Sequence, residues 1–108
     1  MSSGCAVVAA SAIGATPFLI QDKINGRIYS RTDYKQLKKI VLELVTDPNL
    51  LYTLGMRAAQ IMQKEWSPMV AADRFCRVAQ SIIYCKKIPT YSAGPMSKAP
   101  AITRNWFD

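Results

Sequence analysis

The sequence predicts an α/β protein: a βαβ unit followed by three helices and an extended tail. Three observations carry that reading. Residues 5–10 form the unbroken run Cys-Ala-Val-Val-Ala-Ala. It does not alternate polar with apolar, so it reads as a strand buried on both faces in a parallel sheet. Residues 33–84 carry apolar side chains at helical spacing, broken by the helix-start pairs Asp47-Pro48 and Ser67-Pro68. From Cys85 onward the periodicity is lost, and Pro89, Gly94, Pro95 and Pro100 interrupt the chain.

The first strand leads into a loop of small residues, Ser11 to Thr16, in which Gly14 can take a positive φ. Thr16-Pro17 then starts a short helix, with Thr16 as the cap and Pro17 in the first position, where its missing N–H is not needed. Phe18, Leu19 and Ile20 would pack this helix down. Asn25-Gly26 is a turn signal, since both residue types tolerate the left-handed region. Arg27-Ile28-Tyr29 follows as the second strand. The whole makes a compact crossover of about 30 residues, expected to be right-handed.

Asp33 to Thr46 is the clearest helix. Leu37, Ile40, Val41, Leu44 and Val45 make one apolar stripe; Lys35, Lys38, Lys39 and Glu43 sit outside it, with Lys39 and Glu43 placed to pair. The second helix starts at Pro48 under an Asp47 cap and buries Leu50, Leu51, Leu54, Ala58, Ile61 and Met62. Gly55 in its middle costs about 1 kcal/mol relative to Ala, which predicts a bend or a close contact. The third runs from Pro68 to about Tyr84 and buries Ala71, Phe75, Val78, Ala79 and Ile82, with Trp66 packing back onto it. Residues 1–84 therefore form the folded unit and residues 85–108 a Pro-rich extended tail, with Trp106 and Phe107 as anchors near its end.

A chain of 108 residues, half of them hydrophobic and 19% charged, folds and suits one domain or part of one. Its net charge of +7 favours acidic partners: nucleic acid, anionic lipid or phosphorylated ligands. The basic residues are spread out, with doublets only at Lys38-Lys39 and Lys86-Lys87, so solvated helix faces account for most of the charge. Few aromatics are interleaved with them, which counts against nucleic acid. The three cysteines contain no CxxC pair, which counts against zinc and fits a reducing compartment; Cys5 is expected as a small buried hydrophobe. The absence of histidine excludes a Ser-His-Asp triad, a Cys-His pair and any His-ligated metal within this chain. No cofactor or metal is expected. The N-terminal apolar run has no preceding positive charge and is far shorter than the about 20 residues needed to span a bilayer. The expected location is the cytoplasm, with peripheral contact to the inner face of a membrane.

Seven carboxylates are available: Asp22, Asp33, Glu43, Asp47, Glu65, Asp73 and Asp108. No two have a spacing that marks paired acid and base roles. Asp33 and Asp47 serve helix starts, and surface solvation accounts for the others. The best functional candidate is the loop Ser11 to Thr16. It lies where ligands bind in open α/β sheets, at the carboxyl end of a strand and ahead of a helix start. It lacks both the G-x-G-x-x-G and the G-x-x-x-x-G-K-[ST] pattern, and a plain tight connection accounts for the same residues.

Residues 1–30 also resemble a segment of GT-B glycosyltransferases, in particular the retaining glycosyltransferase family four. Met1, Gly4, Ala6, Val7, Val8 and Ala9 match that family's Ala-Met…Gly…Val-Val-Ala run. Gly14, Pro17 and Ile20 match its Gly-x-x-Pro-x-x-Ile segment, and Asp22, Asn25 and Gly26 its Asp-x-x-Asn-Gly turn. Asp47-Pro48 with Leu54-Gly55, Trp66-Ser67, and the tail residues Gly94-Pro95, Ser97 to Pro100 and Asn105-Trp106 continue the series.

The resemblance implies a partial Rossmann-like (GT-B C-terminal domain) fold and a nucleotide-sugar as the substrate of the intact enzyme. The family's Glu-x7-Glu motif, whose second Glu holds the donor ribose, lies just upstream of the matched segment and is absent here. Its diphosphate-binding Arg and Lys and its acceptor domain are absent too. Gly14-Ala15 replaces a common Gly-Gly, and Phe18 a common acid. No catalytic residue is therefore carried over. Ser11, Gly14 and Ala15 are expected on the rim of the donor cleft. The expected partner is a missing N-terminal domain or a complementing chain of a split transferase. The alternative is a basic helical module that binds anionic lipid or nucleic acid.

Overall fold

The computed structural model describes residues 1–98. It is a small α/β protein with β1 (Val8–Ala10), α1 (Thr16–Leu19), β2 (Arg27–Tyr29), α2 (Tyr34–Thr46), α3 (Pro48–Lys64) and α4 (Pro68–Ile83). The strands are parallel, with Val8 opposite Arg27, Ala9 opposite Ile28 and Ala10 opposite Tyr29. Parallel pairing needs a crossover, and the loop with α1 supplies it.

Side chains at the helix starts satisfy N–H groups that the helix itself leaves unpaired. The Asp33 carboxylate accepts from the Gln36 N–H at 2.8 Å, and the Gln36 side chain reaches back to accept from the Ser30 N–H at 2.7 Å. Asp47 accepts from the N–H groups of Asn49 and Leu50, and Ser67 from that of Val70. Pro48 and Pro68 occupy the first helical positions, as expected.

The core is small. Ile40 and Leu44 of α2 meet Leu54 of α3, with Ala6, Val8, Tyr29 and Leu50 packed around them. The expected close contact at Gly55 is present. A Cβ there would run into the Gly4 carbonyl, so α3 lies directly on the backbone of the segment before β1.

Several expectations are corrected, most of them for one physical reason: among the described residues no second layer covers the outer faces. Of the run Cys5 to Ala10 only Ala9 is buried, and β1 starts at Val8. Cys5 is exposed rather than a core hydrophobe. On α2, Val41 and Val45 are exposed; on α3, Leu51 is exposed. On α4 no residue is buried, and Phe75 and Ile82 are each 59% exposed. Thr16 does not cap α1. It lies within the helix, and its hydroxyl donates back to the Ala10 carbonyl at 3.1 Å. The left-handed residue of the α1–β2 turn is Lys23 (φ 65), not Asn25 or Gly26, and Gly14 in the loop before α1 does not take a positive φ. Glu43 pairs with Arg27 across elements instead of with Lys39.

The tail is tied down where it is described. The Arg74 guanidinium donates to the carbonyls of Ala93 and Pro95 and stacks 4.4 Å above the Tyr91 ring. Gly94 is buried at φ +82, and a Cβ there would sit 2.8 Å from the Glu65 carbonyl. Trp106 and Phe107 lie outside the described residues.

Candidate functional site

The loop after β1 stands at the carboxyl end of the sheet. Ser11, Gly14 and Ala15 are all exposed. The Ser11 N–H donates to the Tyr29 carbonyl at 2.8 Å and extends the β1–β2 ladder by one bond. The Ile13 N–H then donates to Ala10 and the Thr16 N–H to Ile13, so the loop closes as two successive tight turns. Thr16, 3% exposed, fastens it to the end of β1. The following helix has only four residues and no side-chain cap, so it offers no extended dipole to an anion. These three residues can line a cleft, but none of them is an acid, a base or a charge.

The turn between α1 and β2 is built by buried polar contacts. The Asn25 side chain is almost wholly buried; it accepts from the Gln21 N–H at 2.7 Å and donates to the Leu19 carbonyl at 2.8 Å. Gly26 is there because a Cβ would lie 2.9 Å from the Val7 carbonyl. The Asp22 carboxylate accepts from the Ile28 N–H at 2.8 Å. Arg27 Nε lies 3.4 Å from the same Asp22 oxygen, close enough to pair in charge but without hydrogen-bond geometry, while its Nη1 donates to Glu43 at 2.8 Å. Asp22, Lys23, Arg27, Gln36, Lys39 and Glu43 border an open groove of about 420 Å³. Both acids in it face Arg27.

Of the basic faces, Lys35, Lys38 and Lys39 are exposed on α2. Arg74 is committed to the tail, and Arg77 Nε donates to Asp73 at 2.8 Å. The hydrogen bond and charge of Asp73 raise the Arg77 pKa further above its ordinary value, so the guanidinium is charged throughout the physiological range. A second open groove of about 420 Å³ lies at the end of α4, bordered by Arg77, Gln80, Ser81, Tyr84, Lys86 and Lys87. Among the described residues no three His, Cys, Asp or Glu side chains gather to hold a metal. No described helix is long and apolar enough to cross a membrane.

Sequence reasoning missed Arg27 as the bridge between Asp22 and Glu43, because nothing local marks a pairing across 16 positions. It missed the Arg74–Tyr91 stack for the same reason. The Asn25-Gly26 pair was visible as a turn, and the ability of Asn to bond nearby backbone was the available signal for its buried role. No protein-family model, no curated protein and no solved structure matches the chain.

Proposed function

We propose that this chain is the C-terminal part of the nucleotide-sugar domain of a retaining, GT-B-type glycosyltransferase. The observation that carries the reading is the ordered set of residues on the β1–loop–α1–turn–β2 unit. Val7 to Ala9 lead into and form the strand, Gly14 and Pro17 flank the start of α1, and Asp22, Asn25 and Gly26 build the turn into β2. Asp22, Asn25 and Gly26 match the family pattern at points where side chain or backbone has a specific task in the turn. The uncovered faces of α2 and α4 support a missing layer, since stable domains bury such faces against a second one.

In the intact enzyme a sugar moves from a nucleoside diphosphate to an acceptor hydroxyl. Positioning and stabilisation of the leaving diphosphate do much of that work. Ser11, Gly14 and Ala15 contribute rim only; the residues that meet ribose, diphosphate and sugar come from the rest of the enzyme or from a separately encoded half.

The test starts with the DNA directly upstream of the Met1 codon. An in-frame Glu-x7-Glu-Ala run, or an adjacent reading frame that carries it, supports the proposal. The joined or co-expressed protein should then hydrolyse or transfer from a nucleotide-sugar, and the 108-residue chain alone should not. Sugar transfer by the pure chain, or an inactive pair, would overturn it.

A further inference from the structure

We propose that the C-terminal end of α4 and the turn after it dock on an anionic lipid surface. The segment reads Ile82-Ile83-Tyr84-Cys85-Lys86-Lys87-Ile88. Ile83 is 71%, Tyr84 67% and Ile88 50% exposed, so three large apolar or amphipathic side chains stand in water beside a lysine pair. Tyrosine and lysine side chains are suited to the membrane–water boundary, where an apolar body sits below a polar tip.

The turn holds this arrangement in place. The Cys85 N–H donates to the Ile82 carbonyl and the Lys86 N–H to the Ser81 carbonyl at 2.8 Å, the paired bonds of a Schellman helix end. Cys85 occupies its left-handed position at φ 50, where glycine is usual. The chain thus reverses sharply, and Lys86 and Lys87 return to the groove formed by Arg77, Gln80, Ser81 and Tyr84. Among the described residues that groove has three cations on its border and no carboxylate; Asp73, paired to Arg77, offsets one of them.

The same geometry separates the possible anions. The end of α4 carries the negative pole of the helix, which opposes a free phosphate ion. A lipid headgroup differs because insertion of Ile83, Tyr84 and Ile88 adds apolar burial to the attraction by the lysines. A protein partner fits less well, since stable interfaces bury about 800 Å² on each side and this site offers one helix end.

Flotation on vesicles is the test, because aggregated protein sinks while bound protein rises. With about 30% phosphatidylglycerol in phosphatidylcholine the chain should float; with phosphatidylcholine alone it should not. Each lysine near such a surface strengthens binding about fivefold, so the double change Lys86→Gln, Lys87→Gln should weaken it about 30-fold. The pair Lys35→Gln, Lys38→Gln on α2 should change it by less than about threefold if the α4 end is the surface. An environment-sensitive dye on Cys85, with Cys5→Ser and Cys76→Ser, should shift to the blue on binding. A dye on Cys5, with the other two replaced, should not. Equal loss from the α2 pair, no dye shift at Cys85, or displacement of vesicles by inorganic phosphate or RNA would each overturn the proposal.

Discussion

The Asn25 side chain, in a residue 1% exposed, accepts from the Gln21 N–H and donates to the Leu19 carbonyl, tying the turn back to the end of α1. Its neighbour Gly26 lets the chain pass the Val7 carbonyl without a clash. The dipeptide is legible in the sequence as a turn. Its buried state is not, because burial depends on Ile20 and Val7 arriving from elsewhere. Gly55 shows the same division: a glycine within α3 predicts a contact or a bend, and only the fold names the Gly4 backbone as what it meets. Gly55→Ala is therefore expected to destabilise. The gain in helix propensity is about 1 kcal/mol, whereas overpacking costs about 1–3 kcal/mol, and here the obstacle is backbone rather than a flexible side chain. Urea unfolding should give a lower midpoint for the variant. A raised midpoint would mean that α3 does not lie on Gly4.

At the scale of elements, helix bounds were readable because Asp47-Pro48 and Ser67-Pro68 place a cap and a proline in adjacent positions. The caps formed as expected at Asp33, Asp47 and Ser67, while Thr16 took a different task because the loop folds back onto Ala10. The tail was illegible. It has no periodicity, and its order comes from Arg74, 17 to 21 positions away in sequence, which holds Tyr91, Ala93 and Pro95 together. Arg74→Ala should release residues 91–97 while α4 keeps its helix. Amide exchange in that segment should quicken, and tryptic cleavage after Lys86 and Lys87 should accelerate, with helical circular dichroism unchanged. Arg74→Lys keeps the charge but not the planar fork, so it should restore protection only in part. Unchanged exchange in Arg74→Ala would place the latch elsewhere.

Across the whole molecule, the Cα atoms span 54 × 33 × 15 Å. The short dimension is that of a single layer of helices on a two-stranded sheet. Apolar periodicity marks a stripe on each of α2, α3 and α4, but it cannot say whether anything covers it, and on α4 no residue is buried. Leu54 is 1% exposed, while Phe75, on an equally good stripe, is 59% exposed. The stripe on α4 therefore contributes little to the stability of this chain and much to its surface. Leu54→Ala should cost about 2–5 kcal/mol, the range for truncating a buried leucine. Phe75→Ser and Ile82→Ser should each stay within about 0.5 kcal/mol, as surface changes do. The serine double variant should also bind less of a dye that reports exposed apolar surface, since large open patches are what such dyes occupy. The decisive measurement is urea unfolding at two protein concentrations. If the serine changes cost more than about 2 kcal/mol and the midpoint rises with concentration, a second copy covers α4 in solution. If they cost that much without a concentration effect, α4 folds back onto its own chain. A negligible cost at both concentrations leaves the face free for a separate partner, as the missing-layer proposal requires.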